Sequence, residues 1–186
     1  MEKIAIGAVS LITPSCVVLI GTEKDGKPNF MAVSYSSIVQ DDPAIVMISS
    51  STTHATNKII KANKTFSVNI PSMDMLKKVD QAGWLSGKEY DKSSLFEIEY
   101  GRINTAPLIK DAPISMECSL VQTLYIGTKY EMFIGKIEQT YVKKEIQVEG
   151  KIDTKKLNPI LYSISDDTYY SLGDAVISVS DLRKTY

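Results

Sequence analysis

Residues 44–70, AIVMISSSTTHATNKIIKANKTFSVNI, contain the pattern that decides the fold: a strand, a hydroxyl-rich turn, a helix and a second strand. The apolar run over residues 44–50 follows an Asp-Pro pair and predicts a compact, buried strand. Residues 55–62 predict a short helix. Residues 65–70, TFSVNI, alternate between apolar and polar types, so one face of that strand should enter the core.

Strand signals also dominate the rest of the chain. The segments CVVLIGT and NFMAVS predict two strands joined by a tight turn at Asp25-Gly26. Further strands are predicted for SMECSLVQ, which alternates, and for YEMFIGKIEQTYV, in which Gly135 marks a bulge or a close approach. A second helix is predicted from Asp74 to Ala82. The whole pattern predicts a mainly β protein with a few helices, built as an antiparallel barrel with helices packed outside.

The composition excludes several classes of protein. A chain of 186 residues without repeats or linkers predicts one domain over residues 1–186. Twenty-one basic and 22 acidic side chains give no net field to attract nucleic acid or a membrane, so neither is expected as a partner. No apolar run approaches the roughly 20 residues that cross a bilayer. Two cysteines favour a reducing cytoplasm, and two cysteines with one histidine give no metal-ligand spacing.

Five consecutive hydroxyl residues, Ser49 to Thr53, lie where the first strand should end and the helix should begin. No Asp or Glu occurs between Pro43 and Asp74. The same window contains His54, Lys58, Lys61 and Lys64. Because a helix start offers N–H groups and the positive end of its dipole, a start without nearby carboxylates suits a phosphate. The alternative is that Thr53 caps the helix and the serines form a solvated loop; the residues alone favour neither interpretation.

Five segments, taken in order, resemble the flavoredoxin branch of the flavin reductase-like, FMN-binding split-barrel family. They are NFMAVSY, similar to Asn-x-Met-Thr-x-Ser-Trp; SSSTTHATNKII, similar to a Ser…Arg-x-Thr helix start; FSVNI, similar to Phe-x-Val-Asn; SGKEYDK, similar to Ser-Gly-x-x-x-Asp-Lys; and YYSLG. Together they cover nearly the whole chain. The resemblance implies an antiparallel FMN-binding split β-barrel and a homodimer with the flavin near the subunit interface.

The resemblance also implies which residues hold FMN. The helix start would bind the phosphate, with Thr56 as a ligand, His54 standing where the family often has Arg, and Lys92 arriving from a later loop. Asn29 and the backbone of residues 32–35 would line the isoalloxazine ring, and Asn69 would reach the ribityl chain or ring edge. The predicted set is Asn29, Ala32, Val33, Ser34, Tyr35, Ser49, Ser51, His54, Thr56, Asn69, Ser86, Gly87 and Lys92. No catalytic residue is assigned.

Three residues depart from the family pattern. Tyr35 stands where Trp is usual, Ala32 where Thr is usual, and Glu131 near a position that often holds His. A carboxylate close to a reduced, anionic flavin would disfavour it, so Glu131 is expected to alter the flavin potential or the choice of reductant.

Three functions are compatible with these residues. The leading hypothesis is an FMN-binding redox protein, either an electron carrier or an NAD(P)H-dependent flavin reductase. The second is an oxidase or reductase of another small molecule, such as a nitro compound or a pyridoxal-type substrate. The third is a non-catalytic barrel that binds a phosphate-bearing ligand or a partner protein. NAD(P)H or a redox protein is the expected transient electron donor. Because the sequence has no Rossmann glycine fingerprint, any NAD(P)H would dock transiently on the flavin face.

Overall fold

A seven-stranded antiparallel sheet forms the centre of the computed structural model, which describes residues 2–85 and 90–185. Its strands are β2 Val18–Lys24, β3 Lys27–Val33, β4 Ser36–Asp41, β5 Ala44–Ser51, β6 Thr65–Ile70, β9 Ile114–Leu124 and β10 Tyr130–Val142. Their order across the sheet is β3-β2-β6-β9-β10-β5-β4. Strand β3 also lies against β5, so the sheet curls round on itself.

Shorter elements surround this sheet. The remaining strands are β1 Ser15–Cys16, β7 Ile98–Glu99, β8 Leu108–Ile109, β11 Gln147–Val148, β12 Lys151–Ile152, β13 Leu161–Ser163 and β14 Thr168–Tyr170. The helices are α1 Ala55–Asn63, α2 Leu76–Trp84, α3 Thr154–Leu157 and α4 Val179–Leu182, with 3-10 turns at Met73–Met75, Lys144–Ile146 and Arg183–Thr185. No helix in residues 2–85 and 90–185 is long and apolar enough to cross a membrane.

Local sequence signals place the main elements where they were predicted. Strands β2 and β3 pair up to Lys24 and Lys27, and the turn residues Asp25 and Gly26 both have positive φ, as a tight hairpin turn requires. Helix α1 begins at Ala55, as predicted. The second predicted helix starts as the 3-10 turn over residues 73–75 and becomes α-helical only afterwards. The predicted mainly β, antiparallel architecture is confirmed.

Two apolar clusters lie on opposite faces of the β2–β3 hairpin, because side chains alternate between the faces of a strand. The inner cluster fills the curled sheet and includes Ile20, Met31 and Phe66. The outer cluster packs the hairpin against α2 and includes Phe30 and Val79. The sheet is therefore covered on both sides along β2 and β3.

Candidate functional site

The hydroxyl run forms a tight turn between β5 and α1. The Thr52 N–H donates to the Lys129 carbonyl at 3.0 Å, and the His54 N–H donates to the Ser51 carbonyl at 3.0 Å. These two bonds fold the chain back at the end of β5 and direct it into α1. The turn thus brings the first turn of α1 next to the ends of β5 and β10.

Capping by Thr53, one of the two interpretations of this run, is wrong. The N-cap residue is His54, and its side chain makes no capping hydrogen bond. The Thr53 hydroxyl instead lies 2.9 Å from the Ser51 hydroxyl. Since a helix start leaves N–H groups without intrahelical acceptors, this end of α1 retains donors that a phosphate can use.

A buried polar cluster centred on Ser50 stabilises the turn on the side that faces the core. The Ser50 hydroxyl lies 2.9 Å from His54 Nδ1, and it donates to Asn57 Oδ1 at 2.7 Å. Asn57 Nδ2 donates to the Ser51 carbonyl at 2.9 Å. The tautomer of His54 sets which of the two groups donates in the contact between Ser50 and His54. This cluster fixes the orientation of the His54 ring.

Ser50 and Asn57 were not among the predicted site residues, although the sequence contains a signal for each. The alternation along β5 places Ser50 on the same face as Val46 and Ile48, which are buried in the inner cluster. Asn57 precedes the buried Ile60 by three residues, so the two share a helix face. Both positions therefore point inward, and a buried serine next to a buried asparagine indicates a structural network.

Thr56 joins the helix start to strand β3. Its hydroxyl oxygen accepts a hydrogen bond from Asn29 Nδ2 at 2.9 Å, and the Thr56 residue is almost fully buried. A hydroxyl that accepts this bond keeps its own proton as a donor. The structure therefore brings together Thr56, predicted to contact the phosphate, and Asn29, predicted to line the ring. These two residues are 27 positions apart in the sequence.

The segment from Ala32 to Tyr35 lies beside the hydroxyl run at the other end of β3. The Tyr35 carbonyl accepts from the Ser49 N–H at 2.8 Å, and the Tyr35 ring packs 5.8 Å from the Tyr130 ring. Ser34 forms a half-buried bend. The Val33 side chain enters the inner cluster and Ala32 packs on the outer cluster, so this segment offers mainly backbone and the Tyr35 ring.

Lys92 does not occupy the position that the resemblance implies. Its ammonium is buried and donates to the carbonyls of Ala82 at 2.6 Å and Phe30 at 3.3 Å. Desolvation by burial lowers the pKa of this lysine. The ammonium thus donates to a carbonyl near the end of α2 and does not reach the start of α1. Ser86 and Gly87, predicted from the same loop, lie outside the described residues.

Asn69 is a second correction. The alternation predicted for β6 is confirmed, but the polar face is covered by the segment that contains Pro107 and Ile109. Asn69 is fully buried; its Nδ2 donates to the Leu19 carbonyl at 3.1 Å, and its Oδ1 accepts from the Ile109 N–H at 3.0 Å. Asn69 therefore stabilises the sheet, and the prediction that it reaches a flavin does not fit this arrangement.

Glu131, the departure with the clearest electrostatic consequence, forms an ion pair. Glu131 lies on β10, opposite Ser50 of β5, and its buried carboxylate accepts from Lys61 Nζ at 2.8 Å. The hydrogen bond to Glu131 raises the pKa of Lys61, which supports a charged lysine. Lys61 thus compensates the charge of the Glu131 carboxylate, and the effect of Glu131 on a reduced flavin stays a prediction.

A cleft of about 1030 Å³ adjoins the helix start. The β2–β3 hairpin, the exposed face of α1 and the loop at residues 90–92 form its walls. Its lining includes Lys24, Lys27, Asn29, Lys58, Tyr90 and Lys92. Asn29 thus belongs both to this cleft and to the contact with Thr56.

Comparison with known proteins identifies the family. The model of the flavin reductase like domain matches residues 10–170. The chain belongs to the flavin reductase-like family. This family membership accounts for the order of the five sequence segments, and it assigns the curled sheet to the flavin reductase-like split barrel.

Solved structures agree with this flavin reductase-like assignment. A flavoredoxin from Methanosarcina acetivorans is 37% identical, with a TM-score of 0.93 over 100% of this chain and 99% of that protein. The flavoredoxin of Desulfovibrio vulgaris (Miyazaki F) is 26% identical, with a TM-score of 0.86 over 96% of this chain and 97% of that flavoredoxin. An uncharacterized protein of Pyrococcus abyssi is 28% identical over 80% of this chain and 85% of its length. The predicted split-barrel fold is confirmed, and the chain has the fold of a flavin-binding redox family.

Proposed function

We propose that this protein is an FMN-binding redox flavoprotein of the flavoredoxin type, which carries electrons or reduces flavin with NAD(P)H. The observation that supports this proposal best is the start of α1. There the hydroxyl run leads directly into the first turn of α1, which carries the Thr56 hydroxyl, within a stretch from Ala44 to Met73 that contains no carboxylate.

The donor set fits the phosphate of FMN. Helix N–H groups and hydroxyls are the donors that phosphates use at helix starts, and the positive end of the helix dipole adds to their attraction. Ser49 and Ser51 lie on the face of β5 opposite the buried Ser50. Thr56 is the ligand that we assign to the phosphate, while Ser50 and Asn57 hold His54 at its edge.

The backbone of residues 32–35 and the Tyr35 ring are the assigned neighbours of the isoalloxazine ring. When bound, the flavin supplies the redox chemistry, accepting a hydride or single electrons. The chain's own residues position it: Asn29 holds Thr56, and the bond between Tyr35 and Ser49 keeps the segment at residues 32–35 against the hydroxyl run.

The first prediction separates a phosphate site from a structural turn. Replacing Thr56 by valine removes the hydroxyl but keeps the size of the side chain. A hydrogen bond to a charged group contributes roughly 1.5–3 kcal/mol, so FMN binding should weaken about 10- to 150-fold. Riboflavin, which has the same ring and no phosphate, should keep its affinity. Flavin fluorescence titrations with both ligands measure these effects.

Thr56→Ser is the matched control because it keeps the hydroxyl, and its FMN affinity should stay near that of the wild type. Equal losses of FMN and riboflavin in Thr56→Val would show damage to the fold. Unchanged FMN affinity would remove Thr56 from the phosphate site. A wild-type protein that binds neither flavin would refute the proposed function.

We further propose that the protein is a homodimer. Both terminal segments expose aliphatic side chains: Ile4 is 81% exposed, Ile12 is 97% exposed and Val176 is 95% exposed. Extended apolar segments of this kind are covered in most proteins, and a second copy of the chain is the partner proposed here. Sedimentation equilibrium at micromolar concentration should give about twice the chain mass of 20.6 kDa. A mass of one chain at that concentration would contradict the dimer.

NAD(P)H or a redox protein is the proposed electron donor, acting transiently in the reducing cytoplasm. The two alternatives differ in one measurement. If NAD(P)H is the donor, the purified FMN-loaded protein should oxidise it without any other protein. If a redox protein is the donor, the flavin should stay oxidised with NAD(P)H and become reduced when a reduced carrier is added.

A further inference from the structure

The loop between β9 and β10, residues 125–129, presents two large apolar side chains to solvent beside helix α1. Tyr125 is 60% exposed and Ile126 is 83% exposed. The Lys61 ammonium lies 3.4 Å from the Tyr125 hydroxyl and 5.8 Å from the centre of the Tyr125 ring, and these contacts hold the ring against α1. Tyr125 and Ile126, which we call the loop tip, therefore form an apolar surface that is fixed to the helix.

Three exposed lysines lie around the loop tip. Lys58 is on α1, and Lys64 follows directly after the helix. The Lys64 carbonyl accepts from the Leu120 N–H at 2.8 Å, which joins the end of α1 to β9. Lys129 belongs to the same loop as the tip. Within residues 2–85 and 90–185, none of Lys58, Lys64 and Lys129 forms an ion pair.

The carboxylates near this face already have partners or lie beside lysines. Glu131 is buried and paired with Lys61. The Glu23 carboxylate, near the end of α1, accepts from the Tyr100 hydroxyl. Asp25, which lines the cleft, lies between two lysines of the hairpin. Since the sequences of α1 and of residues 125–129 contain no carboxylate, the face that they form is positively charged around an apolar centre.

The loop also reaches the candidate flavin site. The Lys129 carbonyl accepts from the Thr52 N–H in the hydroxyl run. The next residue, Tyr130, is exposed, and its ring packs 5.8 Å from the Tyr35 ring. In the proposed function, Tyr35 is a neighbour of the isoalloxazine ring. A protein bound at the loop tip would therefore lie next to the residues that hold the flavin.

We propose that the loop tip and the lysines around it dock an acidic electron-carrier protein, which delivers electrons to the flavin. This inference rests on the proposed function and names the class of its partner. Protein interfaces commonly have an apolar centre and a polar rim, and lysines in that rim attract an acidic partner and repel a basic one. The carrier gives one electron to the flavin in each encounter and leaves in its oxidised form.

A second copy of the chain fits this surface less well. The commonest dimers have two-fold symmetry, so a contact centred on the loop tip would place the same patch of both copies face to face. The lysines around the tip would then face their own equivalents, and like charges across an interface are unfavourable. The homodimer proposed above uses the apolar terminal segments instead.

The test uses a plant-type two-iron, two-sulfur ferredoxin, a small and acidic electron carrier, as the probe. Calorimetric titration at low ionic strength measures the affinity of ferredoxin for the protein with and without FMN. The double variant Lys64→Gln/Lys129→Gln should bind ferredoxin about 5- to 30-fold more weakly than the wild type, because two charge pairs across the interface are lost. The matched control is Lys77→Gln/Lys78→Gln, which removes the same charge from exposed positions on α2. Its ferredoxin affinity should stay within about threefold of the wild type.

A second arm tests the apolar centre. Ile126→Ser should weaken ferredoxin binding about 3- to 10-fold at every salt concentration, whereas the effect of the two lysines should shrink as salt rises. Equal losses in the two double variants would show a long-range effect of net charge, and that result would overturn the inference. If Ile126→Ser halves the mass found by sedimentation, a second copy covers the loop tip and the inference is also overturned.

The inference and the proposed function fail in different ways. If the wild type binds FMN but not ferredoxin, the docking surface is overturned and the proposed function stands. If the wild type does not bind FMN, the proposed function itself fails, and ferredoxin affinity measured without FMN still reports on the loop tip.

Discussion

Replacing Glu117 by glutamine should lower the free energy of unfolding by about 3 kcal/mol. The Glu117 side chain is fully buried. Its carboxylate accepts from the Arg102 N–H at 3.1 Å, the Ile103 N–H at 2.9 Å and the Tyr141 hydroxyl at 3.0 Å. Glutamine turns one acceptor oxygen into an NH₂ group that faces these donors. At least one buried N–H then lacks an acceptor, which costs roughly 1–3 kcal/mol in addition to the weaker bonds to a neutral amide.

Removing the charge also removes the desolvation penalty of the buried carboxylate, which by itself would raise the free energy of unfolding. The relief is the smaller term here, because three donors already replace the water around the carboxylate. Urea denaturation measures the difference, with an unchanged m-value expected. Tyr141→Phe is the control: it removes one donor, leaves both backbone bonds in place, and should cost only about 1 kcal/mol. If the free energy of unfolding of Glu117→Gln lies within about 0.5 kcal/mol of the wild-type value, the carboxylate does not hold the segment at Arg102 and Ile103 in place.

Local patterns were enough to predict six of the seven strands of the central sheet, the hairpin and the start of α1, whereas β4 was not predicted. Each of these signals acts over a few residues: the Asp25-Gly26 turn needs only two residues with positive φ, and alternation follows from the geometry of a single strand. The order of the five family segments then supplied the topology, which alternation alone does not contain.

The site was harder to predict, because a sequence pattern shows which face a side chain occupies but not what covers that face. Asn69 was correctly placed on the polar face of β6, yet the chain around Pro107 buries that face. Lys92 was predicted to reach the helix start, yet its ammonium donates to the Ala82 carbonyl inside the protein. Ser50 was missed for the converse reason: it was grouped with exposed hydroxyls, although the β5 alternation directs it inward.

Gly135 is a position where sequence and structure agree, and replacing it by alanine should destabilise the fold by about 3 kcal/mol. The pairing of β10 with β9 shifts register between Ile134 and Gly135, which is the predicted bulge. The predicted close approach is also present. A Cβ at this position would collide with the Phe66 ring, with Cε1 at 2.8 Å, and would lie 3.2 Å from Cys118 Cβ. Phe66 and Cys118 are both fully buried, so neither side chain has room to move away.

A double-mutant cycle identifies the collision as the cause. Phe66→Leu shortens the side chain and should cost about 1–2 kcal/mol alone, but in the Gly135→Ala protein it should restore part of the lost stability. The two changes should therefore couple by 1 kcal/mol or more, about the range for residues in contact. Gly127→Ala is the control, since a Cβ there meets no atom within 4 Å, and its stability should stay within about 0.5 kcal/mol of the wild type. Strictly additive effects of Gly135→Ala and Phe66→Leu would mean that the glycine is needed for the backbone of the bulge and not for the space that Phe66 occupies.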